Sequence, residues 1–193
     1  MTAVTQILFV QGAGPGTYDE WDSRMVDSLR RELGDSYDVR YPRLPDEGDP
    51  RYATWSAAVH REIAALDTGA VVVGHSVGGA ILAHVLAERP PERELALIVL
   101  VAAPFVGAGG WPGDDFELPG DLGARLPRGV PVRVFHGLED ETVPPSHADR
   151  YAKAVPQALL YRLPGRDHQL DDDLGEVAQV IIRDVASARR PHP

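Results

Sequence analysis

Short apolar runs alternate with amphipathic stretches along the 193 residues of this chain. Runs rich in Val, Ile and Leu predict six β-strands, at residues 6–10, 37–41, 70–74, 95–102, 132–136 and 159–163. Continuous apolar runs of this kind are typical of parallel strands that are buried on both faces. The pattern therefore predicts a single α/β domain over residues 1–193, with about six mostly parallel strands flanked by helices.

The stretches between the strands carry apolar residues at the spacing of one helix face. Three stripes share this spacing: Trp21, Met25, Leu29 and Leu33; Trp55, Val59, Ile63 and Leu66; and Leu174, Val177, Ile181 and Val185. We interpret these stripes as core packing. Asp19 is the expected cap of the first helix, and Ser146 is the expected cap of a short helix that ends at Val155.

One irregular segment, residues 104–129, contains seven glycines and four prolines. It follows the fourth predicted strand, at the sheet edge where α/β proteins place their sites. Its length predicts a short helix around residues 118–126. We interpret it as a short loop that covers the site, with Phe105, Trp111 and Phe116 as candidate walls of a substrate pocket. The alternative is a tolerated surface insertion.

The composition excludes several classes of protein. A net charge of −10 argues against a nucleic-acid or anionic-membrane partner, since both need clustered Lys and Arg. The absence of cysteine removes disulfides, thiolate metal sites and a cysteine nucleophile, and it fits a reducing compartment. No apolar segment is long enough for a signal peptide or a membrane span. We therefore expect a soluble, cytoplasmic protein.

Metal and cofactor motifs are also missing from the sequence. No H-E-x-x-H motif is present, and Asp171-Asp172-Asp173 lacks the alternating spacing of a calcium loop. These three carboxylates are expected to cap the last helix instead. We expect neither a metal nor a cofactor.

The motif Gly74-His75-Ser76-Val77-Gly78 directly follows the third predicted strand. This G-x-S-x-G pattern predicts a nucleophile elbow, in which a strand turns at once into a helix and holds the serine at the apex. Small residues two positions before and after the serine let the two backbone arms approach. Ser76 is therefore the candidate nucleophile, and the alternative is a plain strand-to-helix turn.

A serine hydroxyl needs a base within hydrogen-bond reach, and the base needs an acid that orients it. After the fifth strand, Asp140 in a G-x-x-D-x-x-V-P frame is the preferred acid, with Glu139 as the alternative. Of the seven histidines, His168 alone lies in the loop after the last predicted strand and is the candidate base. The order serine, acid, histidine along the chain is the α/β-hydrolase order.

Acyl transfer also requires an oxyanion hole. The backbone N–H of Val77 is one expected donor, at the start of the helix that follows the elbow. Ala13, in the glycine-rich loop after the first strand, is expected to supply the other. The alternative, a phosphate-binding loop, is disfavoured because Thr17 interrupts G-x-G-x-x-G and no G-K-[ST] follows.

These motifs together resemble the α/β-hydrolase family, and within it the small lidless serine hydrolases of the retinoblastoma-binding-protein and YdeN type. The resemblance implies a sheet without the first two strands of the larger hydrolases. The short separations within the triad leave no room for a cap domain. Where many relatives have His-Gly at the oxyanion loop, this chain has Gln11-Gly12, which removes one way of bracing the hole.

The expected function is cleavage of small acyl esters by a serine hydrolase through an acyl-enzyme intermediate. Two alternatives stay open on the sequence alone. The first is a non-catalytic binding protein on a hydrolase scaffold, because fold does not fix function. The second is a thioesterase, amidase or perhydrolase that uses the same triad.

Overall fold

A computed structural model describes residues 4–113 and 115–188, so the ends of the predicted 1–193 domain lie outside the described residues. Six strands form one sheet in the order β2-β1-β3-β4-β5-β6, and every neighbouring pair is parallel. The strands are β1 Thr5–Val10, β2 Tyr37–Arg40, β3 Ala70–His75, β4 Leu95–Val101, β5 Val132–Gly137 and β6 Leu159–Leu163. The predicted α/β fold is confirmed, with each strand boundary within one residue of its expected position.

Within residues 4–113 and 115–188, six α-helices connect and cover these strands. They are α1 Asp22–Leu33, α2 Tyr52–Ala64, α3 Ser76–Glu88, α4 Leu122–Arg125, α5 Ser146–Ala154 and α6 Gly175–Ala188. Across the described ranges, none of these helices combines the length and apolar character needed to cross a membrane.

The sheet is buried on both faces, as its continuous apolar runs predict. On one face, residues such as Leu8 and Val72 pack with buried side chains of α2, α3, α4 and α5. On the other face, their neighbours Phe9 and Val73 pack against α1 and α6. Successive residues of a strand point to opposite faces, so each strand contributes to both cores.

The strand order places the site. The chain moves from β1 outward to β2 and then returns to β3 on the other side of β1. This reversal opens a crevice between the carboxyl ends of β1 and β3, which is the usual ligand position in open α/β sheets. The loop of residues 11–16 starts at this crevice, and the elbow serine Ser76 directly follows the end of β3 there.

The prediction that Asp19 caps the first helix is wrong. Residues Thr17–Trp21 form a π-helical turn that runs directly into α1, so the helix start needs no side-chain cap. The Asp19 carboxylate pairs with Arg43 instead. The apolar stripe of α1 is buried from Met25 onward, but Trp21 precedes the helix and is 45% exposed.

The other predicted helix starts have mixed outcomes. Ser146 is the first residue of α5, the capping position before it is Pro145, and no side chain bonds to this helix end. The predicted Ser146 cap is therefore wrong, because proline can begin a helix through its fixed φ alone. Of the three carboxylates expected to cap the last helix, Asp173 does so, since its Oδ1 accepts a 2.9 Å hydrogen bond from the Gly175 amide. The prediction is wrong for Asp171 and Asp172, which lie in a 3-10 turn before the helix and pair with arginines instead.

Candidate active site

Ser76 stands at a sharp strand-to-helix turn between β3 and α3. Its φ is 51°, a left-handed value that non-glycine residues adopt rarely and at a cost in free energy. Neighbouring glycines permit the turn: a Cβ on Gly78 would overlap the Gln11 carbonyl, and one on Gly74 would lie 2.5 Å from the Gly79 Cα. These overlaps give a physical reason for the small residues of the motif.

The structure brings the three candidate triad residues together at the carboxyl edge of the sheet. His168 Nε2 lies 3.0 Å from Ser76 Oγ. On the other side of the ring, His168 Nδ1 lies 2.8 Å from Asp140 Oδ2. All three residues are buried, with exposed fractions between 4% and 7%. This is the geometry by which a histidine accepts a serine proton while a carboxylate orients the ring.

Asp140 is held in its ionised form. Its Oδ1 accepts hydrogen bonds from the Thr142 amide at 2.9 Å and the Val143 amide at 2.8 Å. Burial alone raises the pKa of the Asp140 carboxyl, but hydrogen bonds from His136, His168 and Val143 outweigh burial and hold its pKa well below its usual range. The alternative acid, Glu139, has an exposed side chain, and its backbone amide donates to the Arg166 carbonyl at 3.0 Å.

His168 is held in its neutral form at neutral pH. Burial lowers the pKa of its imidazole, and the hydrogen bond to Asp140, which raises the pKa, does not fully compensate. A neutral ring can accept a proton from Ser76, so burial keeps the candidate base ready over a wider pH range.

A second histidine, His136, contacts the carboxylate of Asp140. It is fully buried, and its Nε2 donates to the Val143 carbonyl at 2.8 Å and lies 3.2 Å from Asp140 Oδ2. The sequence indicates only a buried structural histidine at this position. Its contact with the acid depends on how the loop after β5 folds back.

The loop after β1 is tied down at alternate amides. The Gly12 amide donates to Asp22 Oδ2 at 2.7 Å, the Gly14 amide to the Glu47 carbonyl at 2.7 Å, and the Gly16 amide to Glu47 Oε1 at 3.0 Å. Among the described residues, the intervening Ala13 amide has no protein acceptor. A Cβ on Gly12 would lie 3.1 Å from Ser76 Cβ, which places this loop directly against the serine.

Gln11 ties the start of the glycine-rich loop to the chain that follows β2. Its side chain is buried, and its Oε1 accepts a hydrogen bond from the Leu44 amide at 2.8 Å. Its Nε2 donates to Glu47 Oε2 at 2.9 Å. The same Glu47 oxygen accepts from the Tyr18 amide at 2.9 Å, so Gln11 and Glu47 together fix the loop.

The three candidate pocket residues lie in different places. Phe105 is buried in the core, edge-on to Tyr151 with ring centroids 5.2 Å apart. Trp111 is partly buried and edge-on to His147 at 5.8 Å. Phe116 stacks on Tyr52 at 4.7 Å, over the second half of α3. That these three rings line a substrate pocket stays a prediction.

The segment that carries these rings has a shorter helix than expected, limited to α4 at Leu122–Arg125. Backbone bonds organise the rest: the Trp111 amide donates to the Phe105 carbonyl at 2.9 Å, and the Leu118 amide to the Val106 carbonyl at 2.8 Å. In the part of the chain that the structure describes, no cluster of three or more His, Asp or Glu side chains could hold a metal ion.

Sequence reasoning missed Asp22 and Glu47, which anchor the glycine-rich loop. Asp22 reads as an ordinary acidic residue in the first turn of a helix, and Glu47 as a charge in a polar connection. Their hydrogen bonds to the loop join residues that are 10 to 36 positions apart in the sequence. The one local signal is the row of amides in the loop, which must find acceptors somewhere.

The fold and this site define an α/β-hydrolase. A profile described as serine hydrolase matches residues 7–180, and the chain therefore belongs to that family. A pimeloyl-[acyl-carrier protein] methyl ester esterase from Xanthomonas campestris pv. campestris is 27% identical over 168 residues. That alignment covers 84% of this chain but 66% of the esterase, so the chain spans just under two thirds of its curated relative.

Solved structures agree on the fold. The ydeN gene product of B. subtilis matches with a TM-score of 0.75 at 18% identity, over 95% of this chain and 100% of that one. The esterase domain of a Rhodothermus marinus protein matches with a TM-score of 0.67 at 23% identity, over 98% of this chain and 88% of that one. The expected resemblance to small lidless hydrolases is confirmed.

Proposed function

We propose that this protein is a carboxylesterase that cleaves small acyl esters through a covalent acyl-enzyme. The observation that carries the proposal is the pair of contacts made by His168, 3.0 Å to Ser76 Oγ and 2.8 Å to Asp140 Oδ2. The ester preference is supported by the curated relative, which is named a methyl ester esterase.

In the proposed reaction, Ser76 Oγ attacks the ester carbonyl carbon while His168 Nε2 takes its proton. The tetrahedral intermediate collapses, the carbon–oxygen bond to the alcohol breaks, and His168 returns the proton to the leaving alcohol. Water then enters, and its oxygen bonds to the acyl carbon while His168 Nε2 takes one of its protons. The bond between the acyl carbon and Ser76 Oγ breaks, His168 returns the proton to Oγ, and the carboxylic acid is released. Asp140 stays ionised throughout and stabilises the imidazolium.

Two backbone amides are proposed to bind the oxyanion. Val77 is the second residue of α3, where N–H groups lack intrahelical acceptors and the helix dipole favours negative charge. Ala13 lies in the loop against Ser76, and its amide has no acceptor among the residues that the structure describes. The braces from Gln11, Glu47 and Asp22 hold this loop in place before the substrate arrives, which is the condition for effective electrostatic stabilisation.

A chain of this composition fits a cytoplasmic enzyme that acts on a small molecule without a cofactor. The support is the lack of cysteine, which suits a reducing compartment, and the strongly negative charge, which disfavours nucleic acid. Immunoblotting of cytoplasmic, membrane and secreted fractions from the native host tests the location.

Turnover of p-nitrophenyl acetate and butyrate tests the proposed activity. The expected result is hydrolysis that falls by at least about 10³-fold in Ser76→Ala. Ser187→Ala, at an exposed position near the end of α6, is the matched control and retains full activity. No turnover by the native protein on a panel of esters, thioesters and amides would favour a binding protein on a hydrolase scaffold. Preferential turnover of thioesters or amides would redefine the substrate class.

A further inference from the structure

Two buried residues that the proposed reaction does not use lie directly behind the serine. Asp22 begins α1, and His75 ends β3 next to Ser76. The Asp22 side chain is 0% exposed and the His75 side chain 2%. Burying a carboxylate and an imidazole is costly unless charge pairing and hydrogen bonds compensate.

Each side chain has a partner on both sides. Asp22 Oδ2 accepts a 2.7 Å hydrogen bond from the Gly12 amide of the glycine-rich loop. Asp22 Oδ1 lies 2.8 Å from His75 Nδ1, displaced from the ideal axis of a hydrogen bond. His75 Nε2 lies 3.0 Å from the carbonyl oxygen of His168. The pair therefore links the oxyanion loop to the backbone of the candidate base.

The groups that contact the two ring nitrogens of His75 indicate which of these nitrogens carry a proton. A carbonyl oxygen only accepts, so His75 Nε2 must carry a proton to bond with His168. At the other nitrogen, a neutral ring of this tautomer would leave the unprotonated Nδ1, with its lone pair, 2.8 Å from the Asp22 carboxylate oxygen. That arrangement is repulsive, and a second proton on Nδ1 turns it into an attraction between opposite charges.

The charged groups around His75 also favour an imidazole that is protonated at both nitrogens. Burial lowers the pKa of the His75 imidazole, but the Asp22 carboxylate, the His168 carbonyl and the more distant Asp140 carboxylate raise it to a net value above the usual one. The His168 ring also faces the His75 ring, with centroids 4.9 Å apart. The charge on His75 in turn helps to lower the pKa of His168.

We propose that Asp22 and His75 form a buried ion pair, with the imidazole protonated at both nitrogens, that positions the oxyanion loop and the His168 backbone. Both are positioning residues, because neither reaches the ester. The positioning part rests on the proposed esterase function, whereas the protonation state of His75 does not.

Asp22→Asn is the informative variant. Its amide oxygen can still accept from the Gly12 amide, and its NH₂ group can donate to Nδ1 of a neutral His75 ring. The variant thus keeps both links while removing the ion pair. Asp22→Ala removes the links as well as the charge, and Asp19→Asn, on the exposed turn before α1, is a matched control.

Nitrogen-15 NMR of histidine-labelled protein reads the protonation state without any turnover. The expected result is imidazolium shifts at both His75 nitrogens at pH 7, with a neutral His168, in the native protein and in Asp19→Asn. In Asp22→Asn, His75 becomes neutral with its proton on Nε2. A neutral His75 in the native protein at pH 7 would overturn the ion pair, whether or not the protein is an esterase.

Ester hydrolysis then tests positioning. We expect kcat to fall about 10- to 100-fold in Asp22→Ala with KM little changed, and Asp22→Asn to restore most of it. The native enzyme should lose kcat at alkaline pH as His75 deprotonates, and Asp22→Asn should lack this limb. Unchanged kcat in a folded Asp22→Ala, or an identical alkaline limb in Asp22→Asn, would overturn the positioning role.

Discussion

The Gly12 backbone and the Ser76 side chain are in close proximity: a Cβ on Gly12 would lie 3.1 Å from the Ser76 Cβ. Two loops from different strands, one after β1 and one after β3, therefore meet at the candidate nucleophile. The proposed oxyanion hole depends on this meeting, because one donor comes from each loop. Variants that disturb either loop should lower activity without touching the triad.

Gly78→Ala should disrupt the elbow. The new methyl group would overlap the Gln11 carbonyl oxygen, so α3 must move away from the glycine-rich loop. We expect a loss of about 1–3 kcal/mol in the free energy of unfolding and a large loss of kcat. Urea unfolding and ester turnover measure the two effects. Gly120→Ala, where a Cβ meets no atom within 4 Å, is the control and should change neither the free energy of unfolding nor kcat. A Gly78→Ala variant with native stability and native kcat would contradict the close packing of the elbow.

Glu47→Ala should weaken oxyanion binding from a distance. The substitution removes the acceptor of the Gln11 amide group and of the Gly16 and Tyr18 backbone amides. One lost oxyanion donor costs about 3 kcal/mol, so a loosened loop should lower kcat by about 10-fold or more. Steady-state kinetics check this. Asp49→Ala removes an exposed carboxylate that pairs with Arg51, and this variant should behave as the native protein. Equal losses in both variants would refute a specific role for Glu47.

Replacing the acid should separate Asp140 from its neighbour. Asp140→Asn removes the negative charge that faces His168 Nδ1, and we expect kcat to fall by about 10⁴-fold. Glu139→Gln alters an exposed side chain and should retain native activity. If the larger loss appeared in Glu139→Gln, the acid would have to be reassigned.

The pH dependence follows from the environment of His168. Burial lowers the pKa of its imidazole below 6.5, and the neutral ring is the form that would accept the Ser76 proton in the proposed reaction. Activity should therefore persist below pH 6.5 and decline only when the pH passes through the lowered value. A profile of kcat/KM between pH 4 and 8 measures the limb. The same limb should remain in His60→Gln, which replaces a partly exposed histidine on α2. A limb at or above pH 6.5 would contradict a lowered pKa of His168 as its origin.

The sequence predicted the fold closely because buried parallel strands appear as uninterrupted apolar runs. It also predicted which side chains meet at the site, because Ser76, Asp140 and His168 each follow a strand that ends at the same sheet edge. Local pattern carries this information without knowledge of tertiary contacts.

Contacts made across the fold were not predictable in the same way. Asp22 and His75 become partners only when α1 packs beside β3, and neither has a spacing that marks the contact. Phe116 illustrates the same limit, since its stacking on Tyr52 depends on the path of a segment rich in glycine and proline. Such a segment has many backbone conformations of similar free energy, and apolar patterning does not choose among them.

Intact-mass spectrometry after treatment with a fluorophosphonate is the decisive test of whether Ser76 is the nucleophile. We expect one covalent adduct per chain, located by peptide mapping on Ser76, formed rapidly in the native protein and absent from Ser76→Ala. A folded native protein that remains unlabelled, or an adduct that persists in Ser76→Ala, would contradict the assignment of Ser76 as the nucleophile.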